Sequence, residues 1–172
     1  VPLTVDDLAH HLNAVEPPAE GSRDRVEMQR ALDSAVQEVR RMTGRIDAQT
    51  ITVRVSARRG DRALRLPCVD LAAVGSVADP TGYAVAPAHV DLLSGIVELD
   101  TPTTGGAYLI SVTGEPWPSA LETAALDWAT HMYDTQRTVT SPVSDDDQPS
   151  PTFALPNRVA ELLSPYRLAA IA

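Results

Sequence analysis

Tyr108-Leu-Ile-Ser-Val-Thr-Gly114, running on through Glu115-Pro-Trp-Pro118 into Ser119-Ala-Leu-Glu122, is the stretch that decides the fold. Its opening residues are mostly aromatic, aliphatic or β-branched and read as a strand, which Gly114 stops. Ser119-x-x-Glu122 has the form of a capping box just after a proline. Leu121, Ala124, Ala125, Trp128, Met132 and Tyr133 then recur at three- and four-residue steps, which predicts one apolar face on a helix over 119–136. A strand that passes directly into a long amphipathic helix marks the border between a β region and a helical one.

Upstream of this border the period alternates in the strand manner. Ile51, Val53 and Val55 alternate with Thr50, Thr52 and Arg54, and Leu64 and Leu66 alternate after Arg58-Arg-Gly-Asp-Arg62, which predicts a hairpin tip. Further strands are expected over 69–77, 83–85 and 96–99, separated by the turn signals Asp79-Pro-Thr-Gly82, Ser94-Gly95 and Thr104-Gly-Gly106. An antiparallel β module over 50–113 follows. Before it, Met28, Leu32, Ala35, Val36, Val39 and Met42 make an apolar stripe on a helix over 22–43, with Ser22 as N-cap and Gly44 as the stop. Thr4-Val-Asp-Asp7 resembles a capping box that opens a short helix reaching Leu12.

Downstream, residues 138–156 hold several prolines, Ser, Thr and Asp145-Asp-Asp147, a composition that cannot build a core and reads as a linker. A last short helix is expected from Asn157 to Leu163, before Pro165. The fold class is α+β: a helical core carrying an inserted antiparallel β module, with a tethered C-terminal helix. Residues 1–137 form one domain, 138–156 an acidic Pro/Ser linker, and 157–172 a helix and tail.

Apolar residues make up 44% of the 172 but aromatic ones only 4%, so the core must be aliphatic. No apolar run approaches the roughly 18 residues of a membrane span, and no signal pattern opens the chain. Synthesis in a cytoplasm without a membrane stage is expected, Val1 following a removed Met. All 14 basic residues are arginine. Eleven of them fall in 23–65, against six acids; residues 1–22 hold four acids and no base, and 66–172 hold thirteen acids and three arginines. A net charge of −9 disfavours non-specific binding to nucleic acid.

The residues of catalytic chemistry are scattered. His10, His11, His89 and His131 show no metal-ligand spacing, Cys68 is single and reads as a small buried hydrophobe, and no nucleophile elbow or phosphate loop occurs. No catalytic residue, metal or cofactor is expected. Three surfaces remain. Arg58, Arg59 and Arg62 are either a contact for DNA or an acidic neighbour, or a charged tip that keeps a sheet edge soluble. Trp117, between two prolines, is either an interface anchor or a lid over the domain's own core. Leu155, Val159, Leu162, Leu163 and Tyr166 give the last helix an apolar face, expected to reach a partner rather than pack back. On that reading, removing 155–172 leaves 1–137 folded with its melting temperature little changed.

The chain resembles the head-tail connector, or head-completion adaptor, proteins of long-tailed (siphovirus-type) bacteriophages. The resemblance is carried in order by Leu8-Ala-His-His-Leu12, the helix ending at Thr43-Gly-Arg45, Leu64-Arg-Leu-Pro67, Val74-Gly-Ser-Val77, Gly82-Tyr83, Ser94-Gly-Ile96 and the strand into Gly114. Ala125-Leu-Asp-Trp-Ala129 through Tyr133 and Arg137 looks like the family's second core helix, and Leu162-Leu-Ser-Pro-Tyr-Arg167 like its ending. Asp70-Leu71 departs from the pattern, where a second proline-hydrophobic pair is usual. The resemblance implies a non-enzymatic virion protein at the capsid–tail junction, assembled in the host cytoplasm. It implies a ring, usually of twelve copies, under the portal protein, with packaged DNA passing through unbound and the next neck or tail protein below. A stopper, a tail terminator, or a small DNA-binding regulator or enzyme are the alternatives. It further implies that the C-terminal helix, with Arg167, docks on the portal, and that Arg58, Arg59, Arg62 and Trp117 belong to subunit contacts.

Overall fold

The computed structural model describes residues 3–14, 16–139 and 155–168. The chain divides into two compact units, a helical one built from Leu3–Thr43 with the residues from Pro118 onward, and a β unit, Gly44–Trp117.

The helical unit contains α1 (Val5–His11), α2 (Arg23–Thr43), α3 (Ser119–Val139) and α4 (Asn157–Leu163), the last continued by a single 3-10 turn, Ser164–Tyr166. Thr4 and Asp7 form the expected capping box: Asp7 N donates to Thr4 Oγ1 at 3.2 Å, and Thr4 N to Asp7 Oδ2 at 2.8 Å. Ser22 caps α2 by accepting from Arg25 N at 3.2 Å, and Gly44, at φ 66, ends it in the left-handed conformation that a side chain would disfavour. In α3 the cap is shifted by one residue from the expected box. Glu122 N donates to the carbonyl of Pro118, so Pro118 stands at the cap and Ser119 is already helical. Val5, Leu8 and Ala9, the stripe Met28, Ala31, Leu32, Ala35 and Val39, and Leu121, Ala124, Ala125, Trp128, Ala129 and Tyr133 are buried. No described helix is long and apolar enough to cross a membrane.

The β unit is two three-stranded antiparallel sheets. One has the order β1 (Thr50–Ala57), β6 (Gly106–Gly114), β3 (Leu71–Ala78); the other has β2 (Ala63–Arg65), β5 (Ile96–Leu99), β4 (Pro87–Asp91). Val53, Val55, Tyr108, Ile110, Val112, Leu71 and Val77 from the first sheet share one core with Leu64, Val97 and Leu99 from the second, joined by Ile46, Leu66 and Cys68. Burial pushes the Cys68 thiol pKa up, as expected for a packing residue. At Gly114 a Cβ would collide with the carbonyls of Ile46 and Asp47, so this strand exit requires glycine.

Two strand expectations need correction. Residues 58–62 do turn, but β1 and β2 do not pair with each other; they enter different sheets. Thr103 separates them: its N–H donates to Asp61 O at 2.8 Å, its hydroxyl donates to Arg58 O, and its carbonyl accepts from Gly60 N at 2.9 Å. Residues 83–85 form no full strand but one antiparallel bridge to β3, Ala84 to Ala78, with Asp79 N donating to Tyr83 O at 2.9 Å and Val85 N to Val77 O at 2.8 Å. The Asp79 carboxylate competes for that backbone, accepting from Thr81 N and Tyr83 N at 2.9 Å each and holding the segment as a turn. The strand in this region is β4, which opens on Pro87 and runs along a sheet edge, where proline is tolerated.

Candidate functional site

Within the β unit, Arg54, Arg58, Arg59, Arg62 and Arg65 are all exposed. None of the five makes an ion pair among the described residues, whereas Arg23, Arg25, Arg41 and Arg158 of the helical unit and Arg45 of the β unit all do. Alternation along β1 sends Val53 and Val55 inward and Arg54 outward. The turn at 58–62 is fixed by backbone: Asp61 Oδ2 accepts from Arg58 N at 2.7 Å, and Gly60 sits at φ 95. The guanidinium groups are therefore left for solvent or a partner. Arg54 and Arg65 are likewise exposed and unpaired among the described residues, as the outward residues of β1 and β2, which lie in different sheets.

Beside this strip lies a groove of about 550 Å³ lined by Arg54, Ala107, Leu109 and the turn Asp79, Pro80, Thr81 and Gly82. Leu109 stands opposite Arg54 in the β1–β6 ladder and is 48% exposed; Tyr83, next after the turn, is 75% exposed. Asp79 is held below the usual carboxylate range, first by the Thr81 hydroxyl at 2.7 Å and then by the backbone N–H groups of the turn. It thus serves its own loop. The groove was not anticipated, because the turn 79–82 and the outward face of β6 meet only in the folded sheet.

In the helical unit α4 packs on α3. Val159 and Leu163 are both 0% exposed. This corrects the expectation that the whole apolar face of α4 is offered to a partner: its two central residues are covered by the chain's own helices, since the buried stripe of α3 supplies a matching surface. Leu155, Leu162 and Tyr166 are half-buried and Arg167 is exposed. The polar side of the packing is organised by Asp127 on α3. Its Oδ1 meets His11 Nε2 of α1 at 2.8 Å, and its Oδ2 is paired with Arg158 Nε of α4 at 3.2 Å. Nothing in the sequence announces this hub, whose members lie far apart along the chain. A smaller groove, about 390 Å³, lies among Glu38, Arg41, Met42, Trp128, Met132 and Leu155. The backbone after α4 is tied to α2 by Leu168 N donating to Met42 O at 3.1 Å.

Trp117 is 7% exposed, so its ring is not a surface anchor; of the two readings, the buried one holds. The predicted linker lies outside the described residues over 140–154. Among the described residues no group of three or more His, Cys, Asp or Glu could hold a metal ion.

No protein-family model matches the chain, and no curated protein does. Solved structures do. A chain in the neck of an empty gene transfer agent particle, computed with C6 symmetry, superposes with a TM-score of 0.68 at 19% identity, covering 99% of this chain and 92% of that one. The fold is that of a gene transfer agent neck chain. The neck of the native particle, computed with C12 symmetry, gives 0.65 at 19% identity, with 99% and 91% covered. The virion of the native gene transfer agent gives 0.67 at 18% identity, with 99% and 92% covered. The likeness spans both units of this chain.

Proposed function

We propose that this chain is a structural component of the neck of a phage-like particle: a head-to-tail adaptor that forms a ring under the portal, extends the DNA channel and carries the next neck or tail protein. The observation behind this reading is the shared fold over 99% of the chain with a neck chain solved under C12 symmetry. The symmetry in that description supports a ring of twelve.

Twelve copies at −9 would carry −108 in total, a charge suited to a channel through which DNA slides without being held. The half-exposed residues of the α4 region, Leu155, Leu162 and Tyr166, together with Arg167, form the portal-facing surface in this proposal, with Val159 and Leu163 supporting it from beneath. The unpaired arginines serve contacts between subunits.

Deleting the gene from the producing phage or particle tests the reading. Filled heads and separate tails, restored to joined particles by the wild-type chain, are the expected result, and imaging of the neck should show the ring directly against the portal. A ring at the distal side of a separate adaptor would make the chain a stopper or terminator. Joined, infective particles from the deletion strain would end the adaptor reading.

A further inference from the structure

We infer that the β1–β6 face, with its arginine strip and groove, receives the Glu16-Pro-Pro-Ala-Glu20 segment of a second copy of this chain. The inference rests on the ring reading above and specifies its subunit contact. The acceptor is a cationic surface around a small apolar centre. Arg54 and Leu109 share the groove wall, Tyr83 stands exposed after the turn, and Arg58, Arg59 and Arg62 follow in the turn at the end of β1, the four arginines without an ion pair among the described residues. Thr52, Ser56, Ala107 and Ser111, which flank Leu109 and Arg54 in the ladder, are small, so a ligand can approach the sheet closely. Asp61 lies within the arginine turn and Asp79 in the groove wall. Asp61 and Asp79 are engaged by the backbone of their own turns.

The donor is the acidic end of the same chain. Residues 1–22 contain no arginine or lysine. Of their four acids, Asp6 pairs with Arg25 at 2.9 Å and Asp7 caps α1. Glu16 and Glu20 are exposed and no described side chain pairs with them. Between them Pro17, Pro18 and Ala19 offer a stiff apolar edge. The segment is already fixed in place, because Arg25 Nη1 donates to Pro18 O at 3.1 Å and Ser22 N donates to Ala19 O at 3.1 Å. Little ordering cost then opposes docking. Two carboxylates flanking prolines match arginines flanking Leu109 and Tyr83. An acceptor and a donor that are different surfaces of one chain make a head-to-tail contact, which closes into a ring where an isologous contact would stop at a dimer.

The test is a charge exchange followed by sedimentation velocity and mass photometry at low and high salt. The wild type should assemble in low salt and dissociate as salt rises. R58E/R59E/R62E and E16R/E20R chains, each with an unchanged melting temperature, should each associate about 100-fold more weakly, as like charges replace opposite ones. Mixing the two variants should restore association, since each supplies the reversed partner of the other. Intact rings from either variant, or no recovery on mixing, overturn this contact while leaving the ring reading in place. A wild-type chain that stays monomeric, both alone and on purified portal, overturns the ring reading and this contact together. Binding of a fluorescent DNA duplex by the wild type at physiological salt, abolished in R58E/R59E/R62E, would assign the strip to nucleic acid and also overturn the inference.

Discussion

Leu163→Ala is the perturbation that separates a helix belonging to the fold from one reserved for a partner. Leu163 and Val159 are both fully buried in the packing of α4 on α3. Truncating a buried leucine to alanine costs about 2–5 kcal/mol, the upper end applying where neighbours cannot collapse into the space. At about 2–4 °C per kcal/mol for a chain of this length, the melting temperature should fall by about 4–20 °C. Removing residues 155–172 takes away both buried side chains, each contributing about 1.5–3 kcal/mol, together with the Asp127–Arg158 ion pair. A loss of that size is a substantial share of the 5–15 kcal/mol that holds a typical domain folded. The readout is thermal and urea unfolding followed by Trp128 fluorescence, in a Trp117→Phe background so that only the helical unit reports. Arg167→Ala, at an exposed position, is the control and should shift the midpoint by less than about 1 °C. If the 155–172 deletion melts together with the full chain, α4 adds nothing to the fold, and the inference from its burial fails.

Asp127→Asn keeps the shape of the hub but removes the charge facing His11 and Arg158, and should destabilise the helical unit by about 1–3 kcal/mol in urea titrations. Gly114→Ala forces a Cβ into the Ile46 and Asp47 carbonyls, so the variant should be insoluble or lose cooperative unfolding, whereas Gly82→Ala, with open space around it, should cost only the strain of its positive φ. Hydroxyl and backbone hydrogen bonds hold Asp79 and Asp91 ionised below the usual carboxylate range. Their turns should therefore keep full stability above the ordinary carboxylate pKa and lose it only as pH falls through the lowered values; amide shifts of Thr81, Tyr83, Leu93 and Ser94 moving between pH 6 and 5 would contradict this. Free DNA duplex should bind weakly and lose affinity steeply with salt, and sub-micromolar binding at physiological salt would show that the −9 charge is the wrong guide to the surface.

What the sequence determined by itself was whatever depends on neighbours along the chain. The helices over 22–43 and 157–163 emerged within a residue of their expected ends, because Ser22, Gly44 and Pro165 act locally on the backbone they interrupt. Alternation likewise placed β1 and the solvent side of Arg54, and β-prone composition between turn signals placed β5 and β6. Tertiary structure decided everything that depends on which residues meet. Thr103 parts β1 from β2 although their sequence reads as a hairpin, and Asp79 takes the Tyr83 N–H into a turn, so that 83–85 pair with β3 only briefly. The stripe on α4 is the same whether it faces a partner or its own α3, because amphipathicity records that a face will be buried and not by what. Only the folded chain shows Val159 and Leu163 covered at home, His11, Asp127 and Arg158 drawn together from three helices, and Leu109 left uncovered beside unpaired arginines.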